Sequence, residues 1–209
     1  MPKETVILVH GIWTNGLEMS LLGARLEHAG FAPRRFSYHS VLSTPVENAL
    51  ALQSFAGKIT SPVVHYVCHS LGGLVVRHLF HNFPGRVPGR VVTLGTPHVT
   101  SRAAGALTQY FPGRVVFGKS LKQGLLGNAP PWRGHHELGV IAGTLRLGMG
   151  LLVPGIPQPN DGTVAVAETM LAGRKDHITV PASHTGMLFS RVAADQTIHF
   201  LRNGYFLHG

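Results

Sequence analysis

The stretch Val63-Val64-His65-Tyr66-Val67-Cys68-His69-Ser70-Leu71-Gly72-Gly73-Leu74 runs from an apolar, β-branched segment across a serine into two glycines. Val63–Cys68 is short, apolar and β-branched, which reads as a buried strand. Leu71 to Phe83 reads as the helix that follows. Ser70 therefore sits on a tight strand-to-helix turn. Such a turn closes only if the residues two places either side of the serine are small, and Cys68 and Gly72 both are.

Working outward, strands and helices alternate along the chain. Thr5–Val9 reads as a strand ending in His10-Gly11, and Glu18 to His28 as a helix with Met19, Leu21, Leu22 and Leu26 on one face and Gly30 as its stop. Phe31 to Tyr38 reads as a second strand. Thr44-Pro45-Val46-Glu47 is a capping box with proline at the first helical position, opening a helix to about Lys58. Further strands are expected at Val91 to Leu94, Gly139 to Ala142 and Ile178–Val180. A closing helix is expected from Phe189 to Leu201, with Phe189, Val192, Ala193, Phe200 and Leu201 sharing a face. Short apolar strands alternating with helices predict an α/β fold: about six mostly parallel strands with helices on both faces. The whole chain, 1–209, reads as one domain. Its long irregular stretch, 96–137, reads as a lid or substrate loop.

Composition narrows the class. The 209 residues include 44% apolar types and only 13% charged ones, which excludes extended disorder. A single cysteine, Cys68, excludes an intramolecular disulfide framework. No apolar run reaches the length of a spanning helix, and Met1 to Thr5 leads directly into Val6-Ile7-Leu8-Val9 without a signal-peptide pattern. The expectation is a soluble, cytoplasmic protein. The net charge of +9, from 18 Lys+Arg against 9 Asp+Glu, invites a nucleic-acid reading. The basic residues are nevertheless scattered in runs of at most two, with no nucleic-acid motif, so no nucleic-acid partner is expected. The charge suggests at most weak attraction to an anionic membrane surface.

The serine turn Cys68–Gly73 fits the nucleophile-elbow pattern G-x-S-x-G, with Cys68 at the first glycine. Alone, it fits an ordinary Gly-rich turn equally well. Its surroundings favour chemistry. His10-Gly11-Ile12-Trp13 lies at the C-terminal end of the first strand, where open α/β sheets place their sites. A main-chain N–H there, with that of Leu71, is positioned to hold an oxyanion, while His10 itself reads as architectural. Four acids lie between Ser70 and the C-terminal region: Glu137, Asp161, Glu168 and Asp176. Glu137 and Asp176 precede strands, hence lie at the wrong end of the sheet, and Glu168 falls in a short helix. Asp161, in the turn Pro159-Asn160-Asp161-Gly162, is the best placed, with Glu168 the fallback. Four histidines follow it, and only His184 lies on a loop beyond a strand's C-terminal end. Its imidazole is placed to accept the Ser70 proton and be oriented by Asp161.

Together these residues resemble the α/β-hydrolase superfamily, in particular its small bacterial lipases and esterases. The resemblance covers most of the chain. It is carried by His10-Gly11, by Cys68 to Gly73, by Leu94-Gly95-Thr96-Pro97-His98, by Asp161-Gly162 and by His184. It implies hydrolysis of carboxylic esters, including lipid esters, with Ser70 as nucleophile, His184 as proton shuttle and Asp161 steadying the imidazole. Ile12 and Leu71 would donate main-chain N–H groups, and no metal or organic cofactor is required. Two departures stand out: Cys68 replaces a glycine, and only four residues precede the first strand, so the usual leading antiparallel strands are expected to be missing. No separate cap domain is expected, which makes this a minimal hydrolase core. A thioesterase or acyltransferase would use the same triad. A non-catalytic module of this fold, binding lipid or protein, is the alternative of a different class.

Trp13 is the expected substrate contact. Leu71, the 96–131 segment with Tyr110, Phe111 and Phe117, and Leu151-Leu152-Val153-Pro154 either wall an acyl pocket or pack in the core. The pairs His65/His69, His78/His81 and His135/His136 lack a third ligand, so no metal site is expected.

Overall fold

The computed structural model describes residues 3–84, 88–108, 117–121, 123–147 and 156–209. Six strands form one sheet: β1 (Thr5–Val9), β2 (Ala32–Phe36), β3 (Val64–His69), β4 (Arg90–Leu94), β5 (Glu137–Gly143) and β6 (Asp176–Val180), in the order β2-β1-β3-β4-β5-β6. All five pairings are parallel, with Val9 level with Phe36 on one side and Cys68 on the other. Parallel neighbours need crossover connections, and helices α1 (Ser20–His28), α2 (Pro45–Ala56) and α3 (Leu71–Asn82) lie in them, while α5 (Arg191–Asn203) follows the last strand. This is the α/β architecture expected from the alternation of elements, with no separate cap among the described residues. No helix among them is long and apolar enough to cross a membrane.

Alternation along each strand divides the core into two layers. Ile7, Val9, Tyr66, Cys68, Val91 and Val140 face one cluster with α2 and α3; Val6, Leu8, Val67, Val92 and Ile141 face the other with α1 and α5. Both faces are covered, so β1 and β3 are buried at every residue, as their unbroken apolar runs require.

Element boundaries move by a few residues. A 3-10 turn, Leu17–Met19, precedes α1, and β2 is shorter at both ends than expected. The Thr44 capping box forms as read: the Thr44 hydroxyl accepts the Glu47 N–H at 3.2 Å, and the Glu47 carboxylate accepts the Thr44 N–H at 2.7 Å. Two amphipathic faces differ from expectation. In α5, with Ser190 as its cap, the buried residues are Ala193, Ala194, Thr197, Phe200 and Leu201. That register turns Val192 outward, and Phe189, ahead of the helix, is also half exposed. Leu21 likewise faces solvent, because Leu22, Gly23 and Leu26 take the buried side of α1.

The 96–137 segment is partly ordered as helix. It contains α4 (Arg102–Thr108) and a 3-10 turn, Gly118–Leu121. α4 was not expected, and its capping explains why. The Ser101 hydroxyl accepts the Ala104 N–H, while the Arg102 N–H is taken at 2.8 Å by Glu168, 66 residues away. Both ends of the segment are fastened to α3 by Arg77, which is buried. Its guanidinium donates to the carbonyls of His98, Ala129 and Pro130 and has no carboxylate partner among the described residues. Burial lowers its pKa to about 10.

Gly139 makes room for the aromatic rings of Phe200 and Phe206, whose centroids lie 4.8 Å apart at a tilt of 36°, and both rings are fully buried. Phe200→Ala is therefore expected to cost about 3–5 kcal/mol of stability in urea unfolding. Val192→Ala, on the exposed side, should stay within about 0.5 kcal/mol. Equal losses would mean that α5 is seated in the other register.

Candidate active site

The site sits at the C-terminal ends of β1 and β3, where the strand order reverses and an open sheet forms a crevice. The turn carrying Ser70 is strained: φ is 52° and ψ −120°, a region that L-residues with side chains rarely occupy. Several contacts over-determine it. The Ser70 N–H donates to Leu94 O at 2.9 Å, and its carbonyl accepts from Gly73 N at 3.1 Å and from the Thr96 hydroxyl at 2.8 Å. A Cβ on Gly72 would collide with the carbonyl oxygens of Val9 and His10, and one on Gly73 with the Thr96 side chain. The glycines are thus required by close approach. Cys68 lies in β3 below the turn, fully buried, and burial pushes its thiol pKa up, so it stays protonated.

Asp161 and His184 meet in a hydrogen bond. The His184 Nδ1–H donates to Asp161 Oδ2 at 2.7 Å, while Asp161 Oδ1 accepts the N–H groups of Thr163 and Val164 at 2.9 and 2.7 Å. A main-chain bond from His184 N to Asp161 O, 2.9 Å, ties the same two loops. Asp161 is 1% exposed. Gly95, at φ 60°, supplies the space for this pair: its Cβ would lie 3.0 Å from both Asp161 Oδ2 and His184 Nδ1. With Nδ1 donating, His184 Nε2 is left as the acceptor. Ser70 and His184 line one cavity, although no hydrogen bond joins Ser70 Oγ to the imidazole. Bonds of this kind are often long without substrate and tighten in its complex. Glu168 is directed elsewhere. Its two oxygens accept from Arg102 N and Ala165 N, and burial raises its pKa.

His69, between Cys68 and Ser70, was read only as a potential metal pair with His65. Its Nε2–H instead donates to the His184 carbonyl at 3.1 Å, and the two rings lie 4.8 Å apart. Desolvation, then the neighbouring His184, lowers its pKa to about 3, so it is neutral. His65 is occupied by the Arg90 N–H and by Glu4. Among the described residues, no three His, Cys, Asp or Glu side chains gather as a metal site.

The loop after β1 is held by His10, as expected of an architectural residue. Its ring stacks on Tyr38 at 4.1 Å, Nε2 accepts the Tyr38 N–H, and Nδ1–H donates to Gly11 O at 2.7 Å. Trp13 adopts φ 63° and donates its N–H to the Ser40 hydroxyl at 3.1 Å. The Ile12 and Leu71 N–H groups have no acceptor among the described residues. The Leu71 side chain, however, belongs to the core and not to the pocket wall, since the first turn of α3 directs it into the α2–α3 layer.

Ser70, His69 and His184 open onto a cavity of about 490 Å³, with Ile12, Trp13 and Phe117 in its wall. Trp13, 44% exposed, lies with its ring 5.0 Å from that of Phe117. Pro97, Ser101, Ala103, Ala104 and Leu125 of the 96–137 segment complete that side. Tyr110, Phe111 and Leu151–Pro154, named above as wall candidates, lie outside the described residues.

The parallel sheet, its crevice and the serine turn define an α/β-hydrolase-like fold, and solved structures of that fold match it. A lipase of Bacillus licheniformis in its mature form aligns over 89% of this chain and 86% of its own, with TM-score 0.73 and 18% identity. A metagenomic carboxyl esterase aligns over 87% of this chain and 64% of its own, with TM-score 0.63 and 15% identity. The type II thioesterase of the yersiniabactin NRPS/PKS biosynthetic pathway aligns over 96% of this chain and 95% of its own, with TM-score 0.59 and 12% identity. No family model matches the sequence. No curated protein matches it either. The likeness is thus one of fold.

The neutral state of His69 has a measurable consequence. Its folded pKa lies below the unfolded value, so the unfolded chain binds the extra proton, and stability falls as pH drops from about 6.5 toward 3. Urea unfolding near pH 5 should show His69→Gln, which retains an N–H donor, reducing the pH slope by nearly one proton, about 1.4 kcal/mol per pH unit. An unchanged slope would contradict a buried, neutral His69.

Proposed function

We propose that this protein is a serine hydrolase of carboxylic esters that works through an acyl-enzyme on Ser70. The observation that carries the reading is the Asp161–His184 hydrogen bond, made by an imidazole that lines the same cavity as Ser70. The solved structures whose fold it resembles include a lipase, a carboxyl esterase and a thioesterase, which agrees with acyl transfer.

In this mechanism Ser70 Oγ attacks the acyl carbonyl carbon and gives its proton to His184 Nε2. Asp161 holds the imidazole in the right tautomer and stabilises the imidazolium. The Ile12 and Leu71 N–H groups receive the developing oxyanion, each contributing on the order of 10²–10³ in rate. His184 then protonates the departing alkoxide, and later activates the water that releases the acid. The strained turn holds the hydroxyl forward, and the neutral His69 anchors the loop that carries His184. The chain acts as one unit, 1–209, with 96–137 serving as the substrate loop and Trp13 contacting the substrate. The reaction as drawn uses no metal or organic cofactor.

A p-nitrophenyl ester series of increasing acyl length tests this directly. Ser70→Ala should lower kcat by at least about 10³-fold, and Asp161→Asn by about 10²–10⁴-fold. Glu168→Gln should leave kcat within about threefold, because that carboxylate does not meet His184. Hydrolysis that survives Ser70→Ala would refute the assignment. A thioester series run alongside shows which acyl donor is preferred.

A further inference from the structure

In the proposed mechanism the Ile12 N–H meets the oxyanion, so its peptide unit has to be held still. A trans peptide is planar, so the Gly11 carbonyl and the Ile12 N–H point in opposite directions. The carbonyl end is fixed: Gly11 O accepts from His10 Nδ1–H at 2.7 Å and from the Thr14 hydroxyl at 3.2 Å. Beyond the Ile12 Cα, the next peptide is fixed through its N–H, which Trp13 donates to the Ser40 hydroxyl at 3.1 Å. Trp13 depends on that bond. Its φ of 63° is a left-handed conformation that a bulky residue keeps only where its neighbours over-determine it. The same bond occupies the Trp13 N–H, which leaves Ile12 as the residue of this pair with an N–H to offer.

Ser40 is buried in the loop after β2, and other elements anchor it on both sides. The His39 carbonyl accepts the Asn48 side-chain amide of α2 at 3.3 Å, and the Val41 carbonyl accepts the Lys119 N–H at 2.9 Å. Gly118 packs so closely on that Val41 carbonyl that a Cβ there would collide with it. A hydroxyl anchored in this way is a fixed point against which the loop after β1 is set.

From this geometry we infer that Ser40 is a positioning residue, whose hydroxyl holds the Ile12–Trp13 peptide so that the Ile12 N–H stays aimed at the oxyanion. The inference rests on the ester-hydrolase reading and deepens it. Without the hydroxyl, Trp13 relaxes toward negative φ and the Ile12 N–H turns with it. The loss falls on the transition state, because the oxyanion carries its full charge only there.

The test measures p-nitrophenyl butyrate hydrolysis by wild type, Ser40→Ala and Ser40→Thr, with urea unfolding of each alongside. Ser40→Ala should lower kcat about 10–100-fold and leave KM within about threefold. Ser40→Thr restores the hydroxyl, and its methyl has room because Ser40 borders an open hollow; kcat should return to within about threefold of wild type. A trifluoromethyl ketone reads the oxyanion itself. Ser70 Oγ bonds to its carbonyl carbon, the π pair moves to the oxygen, and the serine proton passes to His184 Nε2. Ser40→Ala should weaken that adduct by about the factor lost in kcat, and should speed hydrogen exchange at the Trp13 amide. A serine of purely structural importance would cost unfolding stability alone. Wild-type kcat in folded Ser40→Ala, or an unchanged Trp13 exchange rate, overturns the inference. If Ser70→Ala abolishes hydrolysis in the same assay, the hydrolase reading stands without it. Hydrolysis that survives Ser70→Ala removes both.

Discussion

The first turn of α3 packs directly onto the end of β1, with Gly72 against the carbonyl oxygens of Val9 and His10. No side chain fits between them. This contact brings the end of β3 and the loop after β1 to a common edge, so Ser70 and Ile12 line the same cavity. It also forces Ser70 out of ordinary backbone geometry, because a strand must become a helix within one residue. The bonds from Ser70 to Leu94, Gly73 and Thr96 hold that geometry against relaxation. Replace the glycine and the serine turn and the loop after β1 have to move together.

A second close approach, at Gly95, does the same for the other half of the site. The loop after β4 passes close enough to the Asp161–His184 pair that even a methyl group would crowd it. Asp161 is buried, but three hydrogen bonds to its carboxylate replace the water it has lost. His69 adds a different kind of support. Being neutral, it donates to the His184 carbonyl without placing a positive charge beside the imidazole.

Much of this was legible in the residues because it follows from local pattern. All six strands overlap the segments read as strands, most of them short apolar runs, and the Thr44–Glu47 capping box forms from its four residues. Asp161 and His184 could be paired by counting acids and asking which loops leave the correct end of the sheet. What was not legible depends on partners far away in sequence. The N-terminus of α4 is capped by Glu168, 66 residues on, and no local signal announces it. Val192 and Leu21 carry the right chemistry for a buried face, but the register of each helix on the sheet turns them to solvent. His69 looked like half of a metal pair, because its acceptor is the main chain of a residue 115 positions away.

Arg77 binds the carbonyls of His98 on one side and of Ala129 and Pro130 on the other, which closes the chain between them into a ring fastened to α3. The ends of that ring are set by a cation on the scaffold. Since closing a loop costs only slowly more as it lengthens, residues within the ring can change in number and kind while its attachment points stay where they are. Ser101, Ala103, Ala104, Phe117 and Leu125 of the cavity wall lie within that ring. That side of the cavity can change without touching the strands, the serine turn or the Asp161–His184 pair.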